Sequence, residues 1–139
     1  QLVAYPIISL TQRGRDVHAY VYDLEEVVIS TLKDFSINAE RDKSHAGVWI
    51  QNEEVAAIGL HIRKWVTMHG FALNVNSDLK NFSLINPCGF SDRQATSMSR
   101  ILGRSISMEA VIDRIIVHFS NVFNTPVKSG SITALKAFL

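Results

Sequence analysis

Residues 46–76 read AGVWIQNEEVAAIGLHIRKWVTMHGFALNVN, and this stretch limits the fold more than any other. AGVWI and EVAAIGLHI read as short strands joined by a turn at Gln51 to Glu53, and GFALNVN is a third strand-like run. Neighbouring parallel strands need a crossover of about a dozen residues or more, which these connections do not contain. The sheet is therefore expected to be largely antiparallel or mixed.

The rest of the chain supplies helices and further strand. QLVAYPIISL is apolar and β-branched, as a buried strand would be, with Pro6 arguing for an edge or a kink. From Asp16 to Lys33 the apolar residues fall at helical spacing, with Asp16 placed to cap. KDFSINAERDKSH reads as a polar loop, and SDLKNFSLI as a turn plus a short helix. A loosely amphipathic helix is expected from Asp92 to Leu102, stopped by Gly103. Ser107 to Val122 carries Met108, Val111, Ile112, Ile115, Ile116, Phe119 and Val122 on one stripe. These elements predict a single α+β domain over residues 1–139, a mixed, largely antiparallel sheet packed by helices.

Composition narrows the function classes. Apolar residues make up 47% and charged residues 19% of the 139, as in a globular chain that buries one core. A net charge of +1 gives no basis for nucleic-acid binding or adhesion to an anionic membrane. No apolar run reaches the roughly 18 residues of a membrane span. His18, His45, His61 and His118 lack metal-ligand spacing and read as surface or satisfied side chains. Trp49 and Trp65 read as core or pocket walls. No phosphate-cradling glycine loop is evident.

The one cysteine, Cys88 in SLINPCGFSD, excludes an internal disulfide framework and a thiolate metal cluster, and fits a reducing compartment such as the cytoplasm. A lone cysteine is most often a small apolar filler. The Pro-Cys-Gly setting offers a second reading, a nucleophile whose thiolate is stabilised by free backbone N–H groups of a following helix.

GVWI, then VAAIGLHIRKWVTMHGFALNVNSDL, then INPCG resemble the octanoyltransferases of lipoate assembly, the lipoate-protein ligase B family. The likeness runs in order from Gln1 to about Val127. It implies the fold of the catalytic domain of biotin and lipoate ligases. The implied activity moves an octanoyl group from octanoyl-acyl carrier protein to a lysine of lipoyl domains or of the glycine-cleavage carrier protein. Cys88 matches the family's acyl-thioester nucleophile, and a thioester donor makes ATP and other cofactors unnecessary. The backbones of Ala57, Ile58 and Gly59, and of Gly70, Phe71 and Ala72, match stretches that line the family's acyl pocket. Phe71 and Ile58 would add apolar wall, and His69 would shape the pocket beside Gly70. Gly70 would be held small by the acyl chain more than by folding.

Two departures accompany the likeness. The family's lysine before VAAIG, a cation beside the thiol and a base towards the acceptor amine, is Glu54 here. Lys64 cannot replace it, being about 33 Å away along an extended chain. The family's Arg-Gly-Gly to His-Gly-Pro-Gly motif is expected before Gln1, so the N-terminus reads as cut and the chain as prone to associate. Two further readings stay open: a catalytically impaired acyl-binding or interaction module disabled at Glu54, and an ATP-dependent lipoate or biotin ligase.

Overall fold

The computed structural model describes residues 1–79 and 94–131. Strand β1 (Leu2–Ala4) leads through a short 3-10 turn (Leu10–Gln12) to helix α1 (Val17–Asp34). Strands β2 (Glu40–Arg41), β3 (Gly47–Ile50), β4 (Glu53–Arg63) and β5 (Val66–Leu73) follow. After them come β6 (Gln94–Ala95), α2 (Met98–Leu102) and α3 (Met108–Phe123). The sheet order is β1-β5-β4-β3-β2, antiparallel throughout, and β6 joins β4 in parallel. The expected mixed, largely antiparallel sheet is therefore observed.

Helix α1 starts where the sequence places it. The Asp16 carboxylate accepts the Ala19 N–H at 3.0 Å, satisfying one of the free first-turn donors. Its face of Leu24, Val27, Val28 and Leu32 is fully buried against the sheet. Each such side chain contributes about 1.5–3 kcal/mol by leaving water, so this face fixes the helix to the sheet. Polar pins set its position further. Buried Glu25 accepts the Gly47 N–H at 3.0 Å and pairs with Arg41 Nε at 3.2 Å. Arg41 also binds Glu26 and covers the Tyr22 ring. The stretch read as a polar loop thus contains β2, formed because Arg41 ties it to α1 while Glu40 and Arg41 pair with Trp49 and Val48.

Helix α3 is capped by Ser107, which accepts the Ala110 N–H, and ends at Asn124 in the left-handed region. Its apolar residues are not one buried stripe. Val111, Ile115 and Phe123 are buried, whereas Ile112 and Ile116 are 40% and 41% exposed. Ile112 and Ile116 lie on the Phe123 side of the stripe, about a hundred degrees round from Val111 and Ile115 respectively, and that side is buried at Phe123 but open about two and three turns earlier.

Three boundaries differ from expectation. β1 lies at the sheet edge among the described residues, as Pro6 argues, but it stops at Ala4 instead of running on to Leu10. The helix expected from Asp92 to Leu102 is confined to Met98–Leu102, with Ser97 as cap and Gly103 (φ +66) as stop. Gln94 and Ala95 extend instead, because Glu53 and Glu54 offer them a strand edge, and the Thr96 N–H bonds the Glu54 carbonyl at 2.9 Å. Asp92 itself, and most of SDLKNFSLI, lie outside the described residues.

The third difference is that β4 and β5 form one long hairpin. It turns through Lys64 (φ 51) and Trp65 (φ 63), both left-handed. Positive φ at both centres makes this a type I′ turn, a geometry that usually selects Asn-Gly. A bulky residue there costs about 1–2 kcal/mol, which hides the turn from sequence reading. Local hydrogen bonds offset the cost. Leu10 N–H donates to the Trp65 carbonyl at 2.7 Å, and Thr67 exchanges bonds with Ile8 and Pro6.

Candidate active site

The long strand β4 presents two faces. Ile58, Leu60 and Ile62 pack against the core beneath the helices, while Ala57, Gly59, His61 and Arg63 alternate on the exposed face. Ala72 and Gly70 of β5 lie opposite Ala57 and Gly59, and Val3 of β1 lies opposite Ala72. Four small residues thus make a floor with almost no side-chain relief. A depression of about 630 Å³ sits on it, bordered by Val3, Tyr5, His61 and His69. That volume is in the range of small-molecule sites.

Five of the six backbone positions expected to line an acyl pocket line this depression: Ala57, Gly59, Gly70 and Ala72 as its floor, and Phe71 between them. As apolar walls, however, Phe71 and Ile58 need correction. Phe71 is 2% exposed with its side chain in the core, and Ile58 packs against that core. The strand period of two puts them on the opposite face from their glycine and alanine neighbours. The apolar border comes from Val3 and Tyr5, which the first ten residues had not signalled as site residues.

The two floor glycines differ. A Cβ on Gly59 would meet nothing within 4 Å, so that position is small with open space above it. A Cβ on Gly70 would overlap the Ala4 carbonyl and the Pro6 ring, because the chain leaving β1 crosses directly over it. Gly70 is therefore a packing glycine, contrary to the expectation that folding would tolerate a side chain there. His69, beside it, has φ +64 and stands edge-on to the Tyr5 ring, with centroids 5.9 Å apart. Both side chains border the depression.

At the other end of β4 a bulge opposite Val48 and Trp49 shifts the register. Val55 and Ala56 both enter the core, and the alternation resumes with Glu54 on the side of Ala57. The Glu54 carboxylate lies beside Trp49 at Gly47 (φ +144): a Cβ on that glycine would come within 3.0 Å of Glu54 Oε1 and 3.4 Å of the Trp49 indole nitrogen. Trp49 is buried, matching one of its two expected roles, and its ring stands 6.5 Å from that of His45. Trp65 is different: it is exposed at the hairpin tip, neither core nor pocket wall. His61, expected at the surface, borders the depression.

Cys88 lies outside the described residues, so its placement relative to Glu54 and His69 is not described. Sequence reasoning also missed Thr96, whose buried hydroxyl has no hydrogen-bond partner among the described residues, directly after the β6 pairing with Glu54. An unsatisfied buried hydroxyl costs about 1–3 kcal/mol, and only its position in the fold reveals it. No three His, Cys, Asp or Glu side chains among the described residues gather as a metal site.

The fold belongs to the class of catalytic domains found in biotin and lipoate ligases. The apo biotin protein ligase of Aquifex aeolicus superposes with a TM-score of 0.69 at 16% identity, over 86% of this chain and 51% of that one. Lipoate-protein ligase A bound with ATP gives 0.72 at 14% identity, over 98% and 56%. Within that class, residues 1–120 match the lipoyl protein ligase A/B catalytic domain, and the chain belongs to that family. The octanoyltransferase of Caldicellulosiruptor bescii is 50% identical over 125 residues, covering 88% of this chain and 55% of the relative. That of Desulforamulus reducens is 46% identical over 125 residues, covering 89% and 55%. The chain thus spans about half the length of the curated relatives it matches.

Proposed function

We propose that this domain carries out octanoyl transfer, taking the acyl group from octanoyl-acyl carrier protein and passing it to a lysine of lipoyl domains or of the glycine-cleavage carrier protein. The observation that carries this reading is the floor of Ala57, Gly59, Gly70 and Ala72 beneath an apolar border, in a chain close to octanoyltransferases. A floor without side chains lets an extended acyl chain lie along the strands. In the first step the Cys88 thiolate attacks the thioester carbonyl, and the carrier's thiolate leaves and takes up a proton. In the second the acceptor amine attacks the Cys88 thioester, loses its proton, and the Cys88 thiolate departs. No step requires ATP or another cofactor. A single free thiol fits a reducing compartment such as the cytoplasm. No helix among the described residues is long and apolar enough to cross a membrane.

Intact-mass measurement after incubation with octanoyl-acyl carrier protein tests the reading. One octanoyl adduct on the chain and none on Cys88→Ser is expected. An adduct on the serine variant would remove Cys88 from its role.

Glu54 supports a slow transferase. A carboxylate near the thiol would disfavour the thiolate, and Glu54 replaces the lysine that would take the amine's proton in the family. A general base is typically worth about 10²–10⁴ in rate. Glu54→Lys is expected to shift the pH profile of Cys88 alkylation downwards and to speed transfer. Rapid alkylation of the unaltered chain near pH 6.5, unchanged by the substitution, would show that another cation activates the thiol.

A further inference from the structure

The open face of the sheet ends, beyond the floor, in a buried asparagine. Phe71, Leu73 and Val75 belong to the core, so Gly70, Ala72 and Asn74 share the open face. Asn74 is 6% exposed and lies beside Val55, whose carbonyl accepts its backbone N–H at 2.9 Å. It therefore stands at the Glu54 end of the floor, where the reacting thiol is expected. Four residues of strand, roughly 13 Å, separate it from Gly70, enough for an extended eight-carbon chain. Its carboxamide is only half used. The oxygen accepts from Gln1 Nε2 at 2.9 Å and from the Ser77 hydroxyl at 3.2 Å, which fills both of its acceptor sites. Its Nδ2 keeps two N–H donors for which no acceptor is found among the described residues. Asn76, two residues on, differs, because its amide oxygen and nitrogen both bond the Ile106 backbone. Thr96 Oγ1 also lacks a partner among the described residues, but it is fully enclosed and cannot meet a ligand, whereas Asn74 Nδ2 is not sealed off.

The surroundings hold Asn74 still. Its backbone carbonyl accepts the Met98 N–H at 2.9 Å, so β4, α2 and Gln1, itself at the border of the depression, fix it from three sides. A fixed, nearly buried pair of N–H donors at the head of an acyl floor suits a carbonyl oxygen. We propose that Asn74 Nδ2 donates a hydrogen bond to the acyl carbonyl oxygen and to the oxyanion that this oxygen becomes during transfer. The assignment rests on the octanoyl-transfer reading and adds to it a residue that touches the reacting group. When the thiolate attacks, a carbon–sulfur bond forms and the carbonyl π electrons move onto oxygen, where Asn74 stabilises the charge. When that electron pair returns, the donor's carbon–sulfur bond breaks, and its thiolate leaves and takes up a proton from water. Asn74 neither gains nor loses a proton. Attack by the acceptor amine develops the same oxyanion, so both half-reactions use the same donor.

Two reactions of the Cys88 thiolate separate this role from a structural one. Acylation by octanoyl-pantetheine, a thioester with no carrier protein attached, passes through an oxyanion. Alkylation by iodoacetamide displaces iodide from a saturated carbon and forms none, although it needs the same thiolate. Both rates are measured by intact mass on the full chain at about pH 9, where a thiol of ordinary pKa is mostly ionised. In Asn74→Leu the ratio of the acylation rate to the alkylation rate is expected to fall about 10²-fold or more. Asn74→Asp keeps an oxygen for Gln1 and Ser77 but has no N–H, and its ratio should fall at least as far. The ratio cancels any effect of the added charge on the amount of thiolate. Gln1→Ala removes the 2.9 Å bond to Asn74 but leaves the two donors, and should lower the ratio less than either variant. An unchanged ratio in Asn74→Leu and Asn74→Asp would overturn the assignment, whatever their melting temperatures. An equal fall in Gln1→Ala would also overturn it, by tracing the loss to the β1 edge. No octanoyl adduct on the unaltered chain, with alkylation intact, would instead overturn the octanoyl-transfer reading beneath it.

Discussion

Gly59 and Gly70 are hydrogen-bonded neighbours on one face, yet a side chain at each has a different consequence. Gly59→Val places two methyl groups in the empty depression and meets no protein atom with its Cβ. It is expected to weaken octanoyl-pantetheine binding at least about tenfold while shifting stability by less than about 1 kcal/mol. Gly70→Val drives a Cβ into the Ala4 carbonyl and Pro6, neither of which can move without β1. Overpacking of this kind typically costs about 1–3 kcal/mol. Thermal melts and titration of both variants check the contrast. A Gly59→Val chain that melts as early as Gly70→Val would show that the depression is closed in solution. The sequence alone could not separate the two glycines, since the difference lies in which segment crosses over each. The orientation of Phe71 was legible in principle: Ala72 and Gly70 on the open face leave Phe71 and Leu73 for the core.

Among the elements, α1 and α3 were legible because Asp16 and Ser107 announce their starts and the apolar spacing carries them onward. The hairpin turn was not, because Lys64 and Trp65 adopt a geometry that the sequence normally signals with glycine. β6 was not either, since two residues become a strand only through what Glu53 and Glu54 offer across the gap. The pin between α1 and β2 has a pH signature. The hydrogen bond from Arg41 holds the Glu26 carboxyl below its usual value, with burial opposing. A carboxylate lowered in the folded state contributes stability above its unfolded pKa, and the contribution is lost as pH falls through the folded one. Glu26→Gln is therefore expected to lower Tm near about pH 7 and to have little effect near about pH 3. The effect should be modest and weakened by salt, because the Glu26 side chain is 40% exposed. An equal Tm loss at both pH values would place the contribution of Glu26 in packing instead of charge.

At the scale of the molecule, the fold class followed from the closeness of the strand runs, and the solved ligase domains confirm it. The candidate site was legible as a list of positions, but its faces were not, because one bulge at Val55 decides which side Glu54 shares. The edge that completes the site is built from distant parts of the chain. Leu2, Val3 and Ala4 pair with Leu73, Ala72 and Phe71, and the Gln1 side-chain amide donates to Asn74 Oδ1 at 2.9 Å. The β3–β4 and β4–β5 hairpins close through short loops, whereas this edge must close a loop of some seventy residues. Folding is thus expected to assemble the floor first and add the Val3 and Tyr5 border late. In the native protein the reverse step is a local opening. Three strand residues on one neighbour can detach while the core beneath α1 stays intact. Native-state hydrogen exchange should show the amides of Leu2–Ala4 exchanging well before those of Val55–Leu60. A bound acyl chain, held partly by Val3 and Tyr5, should slow the first group selectively, so that occupancy of the site can be read as protection of an edge strand.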